Sequence, residues 1–194
     1  MADAPKLLTR SKLAADEHCS SGSMPVADRV WRSSPSNARP ASESIVVLVV
    51  DDDVDLRNSL LRVLAECDLT AIGATCSLNA LAILQQEHVD VIVSDQYTWG
   101  IDGISLLSTV RERWPRVQRV LFTADAAPDI VVNAVNRGGV HKVLLKSTHA
   151  VQIRDEIERV ALDARRLRLQ LSGVECHADR RRGENDPARA TGKR

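Results

Sequence analysis

The run IVVLVVDDDVD (45–55) decides the fold of this chain. Six aliphatic residues, most of them β-branched, are typical of a strand that is covered on both faces. Three carboxylates follow directly, and leucines then recur at helical spacing to about residue 66. A fully covered strand that leads into a helix indicates a parallel sheet with helices packed on both faces.

The same strand-then-helix pattern repeats along the chain. Further strands are predicted at 69–74, 89–94, 117–122 and 140–145, and further helices at 78–84, 104–114, 130–136 and from about 148. Right-handed crossovers make these units an α/β fold with a doubly wound, five-stranded parallel sheet. Sites in such sheets form outside the carboxyl ends of the strands.

The flanking segments lack this pattern. Residues 1–44 hold nine serines and four prolines and are predicted to be disordered. Residues 164–194 carry nine basic and four acidic side chains, and within them 172–194 are predicted to be a disordered basic tail. The folded domain is therefore expected to span residues 45–171.

The last predicted helix carries apolar residues at alternating spacings of three and four. These residues are Ala150, Ile153, Ile157, Val160, Ala164, Leu167 and Leu171. The first half of this stripe would pack on the sheet. Beyond about Asp163 the helix is expected to outrun the domain, as an amphipathic end or as a contact surface for a partner or a second copy.

Composition disfavours several classes of protein. No apolar run approaches the ~20 residues of a membrane span, and the N-terminus lacks the apolar stretch of a signal peptide. The four cysteines form no CxxC pair, which favours a reduced, cytoplasmic compartment. Binding of nucleic acid through the basic tail is disfavoured because no aromatic or groove-reading motif accompanies it.

Polar side chains follow four of the five predicted strands. They are Asp51, Asp52 and Asp53 after the first strand, Asp95 after the third, Thr123 and Ala124 at the fourth, and Lys146 after the fifth. Each alone has an ordinary structural explanation, such as a helix cap or a surface lysine. Their convergence at one edge of one sheet predicts a functional site.

These residue types suit metal-assisted phosphoryl chemistry. Carboxylates held together favour their protonated forms, whereas a bound Mg²⁺, which prefers oxygen ligands, reverses that preference. A carboxylate beside Mg²⁺ can act as a nucleophile toward phosphorus. Lys146 would neutralise phosphoryl oxygens, the Thr123 hydroxyl would donate to one of them, and the small Ala124 would leave its backbone N–H accessible.

The sequence resembles the receiver domain of two-component response regulators over about residues 45–165. The matching segments are LVVDDDVDLR (48–57), VSDQYTWGIDG (93–103), VLFTAD (120–125) and GGVHKVLLKS (138–147). The second and last segments are most similar to receivers attached to c-di-GMP phosphodiesterase domains, although no such output domain is expected here. The resemblance implies the flavodoxin-like receiver fold and a phosphoacceptor domain rather than an enzyme, although such a domain can assist its own phosphorylation and dephosphorylation.

The resemblance also implies roles for the acidic residues. Asp95 would be the phosphoacceptor, and it would hold Mg²⁺ together with Asp51, Asp52 and the backbone carbonyl of Tyr97. Asp52 would be the likelier direct ligand of the acidic pair. The DG pair at residues 102–103 would form a structural turn.

Further roles follow for the other strand ends. Thr123, Ala124 and Lys146 would bind the phosphoryl group, and Thr123 and His141 would form the switch, with His141 turning inward as Thr123 moves. A histidine kinase or a phosphotransfer protein would donate the phosphoryl group. Because residues 172–194 are too few for an effector domain, output would occur through contact with a downstream protein.

The chain departs from the family pattern at three places. Thr98 and Trp99 stand where Met-Pro is common, and His141 is taken to replace the switch aromatic. Ser147 follows Lys146, where the family usually has a proline preceded by a cis bond. A cis bond before a non-proline residue costs ~3–4 kcal/mol, so the Lys146 loop is expected to be trans and differently placed.

Two alternative functions stay open from the sequence. A pseudo-receiver would share the fold and act by binding alone, without phosphorylation. The segment DDDV (51–54) also satisfies the opening motif of haloacid-dehalogenase phosphatases, with Asp51 as nucleophile and Asp53 as acid. The late acidic motif of those enzymes is missing after Lys146, which disfavours this second alternative.

Overall fold

A computed structural model describes the backbone of residues 30–32, 44–125 and 127–183. Side-chain burial and contacts are described for residues 44–125 and 127–170. The strands are β1 Val30–Arg32, β2 Ile45–Val50, β3 Leu69–Ala74, β4 Val91–Ser94, β5 Gln118–Thr123 and β6 Lys142–Leu145. The helices are α1 Val54–Leu64, α2 Ser77–Gln86, α3 Gly103–Arg113, α4 Pro128–Asn133 and α5 Ala150–Gly183. A π-helical turn, Ala134–Gly138, continues α4.

The strands form one sheet in the order β1-β3-β2-β4-β5-β6. Strands β2 to β6 are all parallel, which confirms the predicted five-stranded, doubly wound sheet. Val50, the last residue of β2, pairs with Ala74 on one side and Ser94 on the other. The carboxyl ends of the central strands are therefore level, and the residues that follow them start from one edge.

Strand β1 was not predicted. It pairs antiparallel with β3, with Val30 opposite Ile72 and Arg32 opposite Thr70. The expectation that residues 1–44 are disordered is wrong for these three residues, because pairing with the open edge of β3 stabilises a segment too short to show a period of its own. The rest of that segment, apart from Ser44, lies outside the described residues.

Two apolar layers cover the faces of the sheet. On one face, α1 and α5 pack through residues such as Leu61, Leu64 and Ile157. On the other face, α2 and α3 pack through residues such as Ile83 and Leu107, and Ala134 of the π-helical turn is buried beside them. The core is almost entirely aliphatic, as the low aromatic content of 3% requires.

The structure confirms that the first half of the apolar stripe on α5 packs on the sheet, and it corrects the predicted point at which the helix leaves the domain. Ile153, Ile157, Val160 and Ala164 are buried against the sheet, whereas Leu167 is 39% exposed. The helix does not leave the domain at Asp163, because the Arg168 guanidinium lies 3.0 Å from the buried Asp90 carboxylate.

The backbone of α5 also continues to Gly183, so the first part of the predicted disordered tail is helical. The Leu171 side chain and residues 184–194 lie outside the described part of the chain. None of the described helices, α5 included, is long and apolar enough to cross a membrane.

Helix α4 is the least buried helix of the described fold. None of its residues is buried, and Val132 is 55% exposed. The left-handed Gly139 (φ 56°) follows its π-helical turn, where the sequence predicted that glycine would end the helix. Strand β6 begins at Lys142, two residues later than predicted.

The two faces of α5 should respond differently to mutation. We expect Ile157→Ala to lower the free energy of unfolding by ~2–5 kcal/mol, because the side chain is fully buried and its removal leaves a cavity. Leu162→Ala, on the same helix but 52% exposed, should change it by less than ~0.5 kcal/mol. Urea denaturation measures both values, and equal losses in the two variants would contradict the packing described for α5.

Candidate functional site

Three carboxylates meet at the carboxyl edge of the sheet. Asp51 follows β2 and Asp95 follows β4, and these neighbouring strands leave both side chains almost fully buried, at 2% and 6% exposure. Asp52 is exposed beside them. One carboxylate oxygen from each residue lies within 4.8 Å of the other two. The structure thus brings together the three acidic side chains that the sequence assigned to one site.

Lys146 joins the two buried carboxylates. Its ammonium nitrogen lies 2.9 Å from Asp51 Oδ2 and 3.1 Å from Asp95 Oδ2. It also lies 5.8 Å from the centre of the Phe122 ring. The peptide bond before Ser147 is trans, as expected. The trans bond does not keep Lys146 away from the site, because its four-carbon side chain reaches both carboxylates.

The charges at this site are not balanced. Burial raises the pKa of the Asp51 carboxyl, and the contact and charge of Lys146 offset that increase only in part. Burial also disfavours the charged form of Lys146, but its contacts with Asp51 and Asp95 outweigh that effect and raise the pKa of the ammonium. One cation therefore serves two buried carboxylates and an exposed third, which leaves negative charge uncompensated.

This set of ligands fits a hard divalent cation. Asp51 Oδ2 is buried, and among the described residues it has the Lys146 ammonium beside it but no well-aligned hydrogen bond. Asp51 Oδ1 accepts the Asp53 N–H at 3.0 Å, which fixes the carboxylate. Three convergent carboxylate oxygens are suitable ligands for Mg²⁺, which takes few protein oxygens and keeps several waters. The role of the Tyr97 carbonyl stays a prediction.

Thr123 and Ala124 lie at the same edge. Thr123 is the fully buried last residue of β5, and its backbone carbonyl accepts the Lys146 N–H at 2.8 Å. The Thr123 hydroxyl accepts the backbone N–H of Asp125 at 3.1 Å. Ala124 is exposed. A buried hydroxyl that contacts the following loop can link events at the site to the start of α4.

His141 is not at this edge. Its backbone N–H donates to Arg119 O, and its Nδ1 accepts the Arg119 N–H at 3.0 Å. Thr123 instead pairs with Leu145. Four residues of strand separate the two positions, or ~13 Å, so the prediction that His141 moves into the space beside Thr123 is wrong.

Val143 lies on β6 between His141 and Leu145, the residue that pairs with Thr123. It pairs with Leu121, whose side chain lies in the layer on the α4 face, and it packs against that layer itself. Because side chains alternate along a strand, Thr123 points to the same face as Leu121. Val143 therefore lies on the same face of the sheet as Thr123 and nearer to it than His141 does. His141 was predicted to be the switch residue from its residue type and not from its distance from Lys146 along the chain.

The DG pair has the structural role that was predicted. Asp102 caps α3: its Oδ1 accepts the Ser105 N–H at 3.0 Å, and its Oδ2 accepts the Ser105 hydroxyl at 2.6 Å. Gly103 donates its N–H to Gln96 O at 2.9 Å. A Cβ at Gly103 would overlap the Asp95 carbonyl oxygen, so only glycine allows α3 to start this close to the acceptor.

Two further residues hold the site and were missed in the sequence. Arg57, which is almost completely buried, donates from Nη1 to the Asp51 carbonyl at 2.7 Å. Ser77 donates its hydroxyl to Ile101 O at 2.6 Å and lies 2.8 Å from the Thr98 hydroxyl. Both are polar residues at the start of helices, where a surface position or a cap is the usual expectation.

Asp53 is used as a helix cap. Its Oδ1 accepts the N–H groups of Asp55 and Leu56, both at 3.0 Å. The carboxylate is therefore directed to the first turn of α1. This arrangement gives no support to the phosphatase alternative, which requires Asp53 as an acid beside Asp51.

The chain belongs to the response regulator receiver domain family, whose sequence profile matches residues 47–158. It is 31% identical over 137 residues to the hydrogenase transcriptional regulatory protein HoxA of Cupriavidus necator, covering 68% of this chain but 28% of that protein. It is 36% identical over 93 residues to the DNA-binding transcriptional regulator NtrC of Salmonella typhimurium, covering 48% of this chain and 20% of that protein.

Solved receiver structures share the fold. The receiver domain of an HD domain-containing protein from Pseudomonas fluorescens has a TM-score of 0.63 at 22% identity, covering 68% of this chain and 97% of that one. A CheY-like receiver from Methanospirillum hungatei has a TM-score of 0.60 at 19% identity, covering 63% and 98%. Receiver domains are normally phosphoacceptors of two-component systems, and they generally bind Mg²⁺ at an acidic pocket of this kind.

The Asp102 cap gives a pH-dependent prediction. Although partial burial opposes it, hydrogen bonds from Ser105 lower the pKa of the Asp102 carboxyl. A lowered pKa stabilises the fold above the ordinary carboxyl range near pH 4, and this contribution is lost as the pH falls through the lower folded-state value. We expect Asp102→Ala to lower the free energy of unfolding by ~1 kcal/mol at neutral pH.

The matched variant Asp102→Asn keeps a good capping residue and should lose less. Urea denaturation at neutral pH and at about pH 3 measures the wild-type protein and both variants. The advantage of wild type over Asp102→Asn should shrink on acidification. An advantage that grows at the lower pH would contradict the lowered pKa.

Proposed function

We propose that this receiver domain is phosphorylated on Asp95 by a histidine kinase or a phosphotransfer protein and signals through contact with a downstream protein. The observation that carries the proposal is the contact of one ammonium, Lys146, with both Asp51 and Asp95 at the carboxyl edge of the sheet. Receivers need an acceptor carboxylate, a cation for the phosphoryl oxygens and acidic metal ligands. Described side chains at this edge can supply all three.

The proposed reaction transfers a phosphoryl group from a nitrogen of the donor histidine. An Asp95 carboxylate oxygen attacks phosphorus and forms the new P–O bond. The P–N bond breaks, and its electron pair stays on the imidazole, which takes up a proton. Because this reaction gathers negative charge around phosphorus, Lys146 stabilises it as a point charge and the N–H of Ala124 as a dipole.

Asp51, Asp52 and Asp95 would hold Mg²⁺, together with the carbonyl of Tyr97. The ion would supply positive charge to phosphoryl oxygens and would offset the repulsion between carboxylates. Burial of Asp51 and Asp95 supports this assignment, since buried carboxylates without enough positive charge are unfavourable. Asp51 is oriented in advance by the N–H of Asp53.

The switch would begin at Thr123. Its hydroxyl, which now accepts the Asp125 N–H, would instead turn to donate to a phosphoryl oxygen. That change releases the loop that leads into α4. Helix α4 has no buried residue, so its displacement costs little apolar burial, and Val143 lines the face on which it would repack. Helix α4 would thus have two arrangements, and phosphorylation would shift the equilibrium between them, which is how a switch works.

Output through α5 is a second part of the proposal. The inner face of the apolar stripe packs on the sheet. Besides Leu167 of the stripe, α5 exposes two leucines that the stripe does not include, Leu162 and Leu169, at 52% and 61% exposure. They lie one heptad apart, as residues of a helix–helix contact do. A homodimer or a downstream protein would bind there, in the cytoplasm.

Labelling from a small phosphodonor tests the phosphoacceptor. With phosphoramidate and Mg²⁺, the wild-type chain should incorporate one phosphoryl group that is labile to base, as acyl phosphates are. Asp95→Asn should lose at least about 90% of this label, because the amide lacks the nucleophilic oxygen. Chelation of Mg²⁺ with EDTA should have a comparable effect. Quantitative gel autoradiography or intact mass measures the incorporation.

Asp53→Asn is the matched control. It also replaces an aspartate by asparagine at this edge, but Asn caps helices as well as Asp does, so labelling should stay within about twofold of wild type. Label retained in Asp95→Asn would refute the assignment of the acceptor. Wild-type protein that takes up no label would support the pseudo-receiver alternative, in which the domain acts by binding alone.

A further inference from the structure

Two of the few aromatic residues of this chain are exposed beside the acceptor. The sequence has three tryptophans, one tyrosine and one phenylalanine. Tyr97 and Trp99 lie in the acceptor loop, residues 96–102, and are 62% and 39% exposed. Phe122, by contrast, is buried. Exposed aromatic side chains are typical of binding anchors, since they are enriched in the centres of protein interfaces.

The acceptor loop is held in place at both ends and in the middle. Gly103 N–H donates to Gln96 O, and Ser77 N–H donates to Trp99 O at 3.3 Å. The Ser77 hydroxyl donates to Ile101 O, and the Thr98 hydroxyl also donates to Ile101 O at 3.1 Å. The two bonds from Ser77 tie the loop to the start of α2, and the other two close the loop on itself, so Trp99 is presented on an ordered backbone. An anchor ordered in advance loses less entropy on binding.

An exposed leucine of α2 enlarges the apolar surface. Leu78 is 52% exposed, and its Cγ lies 3.9 Å from the place that a Cβ on Gly100 would take. We call Leu78, Tyr97 and Trp99 the aromatic patch. Exposed carboxylates surround the site at the start of α1, at the start of α3 and after β5. They are Asp52, Asp53, Asp55, Asp102 and Asp125.

The position of the patch identifies what covers it. Asp95 is 6% exposed, so a donor protein must contact the carboxyl edge of the sheet directly for its histidine to reach the Asp95 carboxylate. Trp99 is four residues from Asp95, at most ~14 Å along the backbone. A standard interface of ~800 Å² per partner has a radius of ~16 Å. A protein that delivers a phosphoryl group to Asp95 through such an interface therefore covers the acceptor loop.

We propose that the aromatic patch is the docking anchor for the phosphohistidine-bearing protein, which would place aliphatic side chains on Trp99 and Leu78 and basic side chains near the exposed aspartates. This inference rests on the proposed function. The inferred docking role would let Trp99 contribute to the choice of donor. Trp99 stands where the family commonly has a proline. The anchor contributes to binding a protein donor and not to the phosphoryl chemistry, so it should leave small donors unaffected.

The test compares two donors on the same protein. Purified histidine kinases and phosphotransfer domains of the source organism are autophosphorylated, and the one that labels the wild-type full-length chain fastest is taken as the protein donor. Phosphoramidate with Mg²⁺ is the small donor. The ratio of the protein-donor rate to the small-donor rate is measured for wild type, Trp99→Ala, Trp99→Phe and Leu78→Ala. Val135→Ala, an equally exposed apolar residue in the π-helical turn after α4, is the control.

The ratio should fall about tenfold or more in Trp99→Ala, as expected for loss of an anchor residue. It should fall less in Leu78→Ala, recover in Trp99→Phe and stay unchanged in Val135→Ala. A ratio within twofold of wild type in Trp99→Ala would overturn the anchor and leave the proposed function intact. Absence of any label from either donor would overturn both.

A third result would also overturn the inference. If only phosphoramidate labels the wild-type chain, no phosphohistidine protein docks at this edge. Light scattering would then show whether the patch binds a second copy: wild type would dimerise and Trp99→Ala would remain monomeric.

Discussion

The ammonium of Lys146 between the buried carboxylates of Asp51 and Asp95 is the interaction on which the site depends. Two carboxylates at the end of adjacent strands repel each other, and burial increases the cost of their charges. Removing one partner from a buried ion pair typically costs ~3–5 kcal/mol. The three strand ends that supply these residues are thus kept together by charge as well as by backbone pairing. The same contact leaves one negative charge in excess, which is the property that a divalent cation and then a phosphoryl group would use.

The surrounding fold keeps this contact in register. Strands β2 and β4 end level with each other, and the Lys146 N–H bonds to the carbonyl of Thr123. The Arg57 guanidinium holds the backbone of Asp51 through a hydrogen bond to its carbonyl. Gly103 lets α3 approach the backbone of Asp95. The rigid side of the site therefore lies at α1, α2 and α3. The loosely packed side lies at α4, which begins five residues after Thr123 along the chain.

The sequence predicted the parallel sheet and the convergence of the acidic residues because both follow from strong local patterns. Continuous aliphatic runs mark doubly covered strands, and parallel strands bring their carboxyl ends to one edge. It failed where tertiary contacts decide the outcome. Strand β1 forms through pairing with an existing edge, α5 remains bound beyond Asp163 through Arg168 and Asp90, and Arg57 is buried by its contact with a backbone carbonyl. The prediction for His141 failed for a different reason: its residue type was given more weight than its position, which is before the start of β6.

Mass-spectrometric localisation of the phosphoryl group tests the central claim most directly. The wild-type chain would be treated with phosphoramidate and Mg²⁺ and then with borohydride, which reduces an aspartyl phosphate to homoserine, before digestion and peptide sequencing. The account predicts conversion at residue 95 alone and its loss when Mg²⁺ is chelated. Conversion at Asp51 or Asp52 instead, or no conversion under conditions in which another receiver domain is modified, would contradict it.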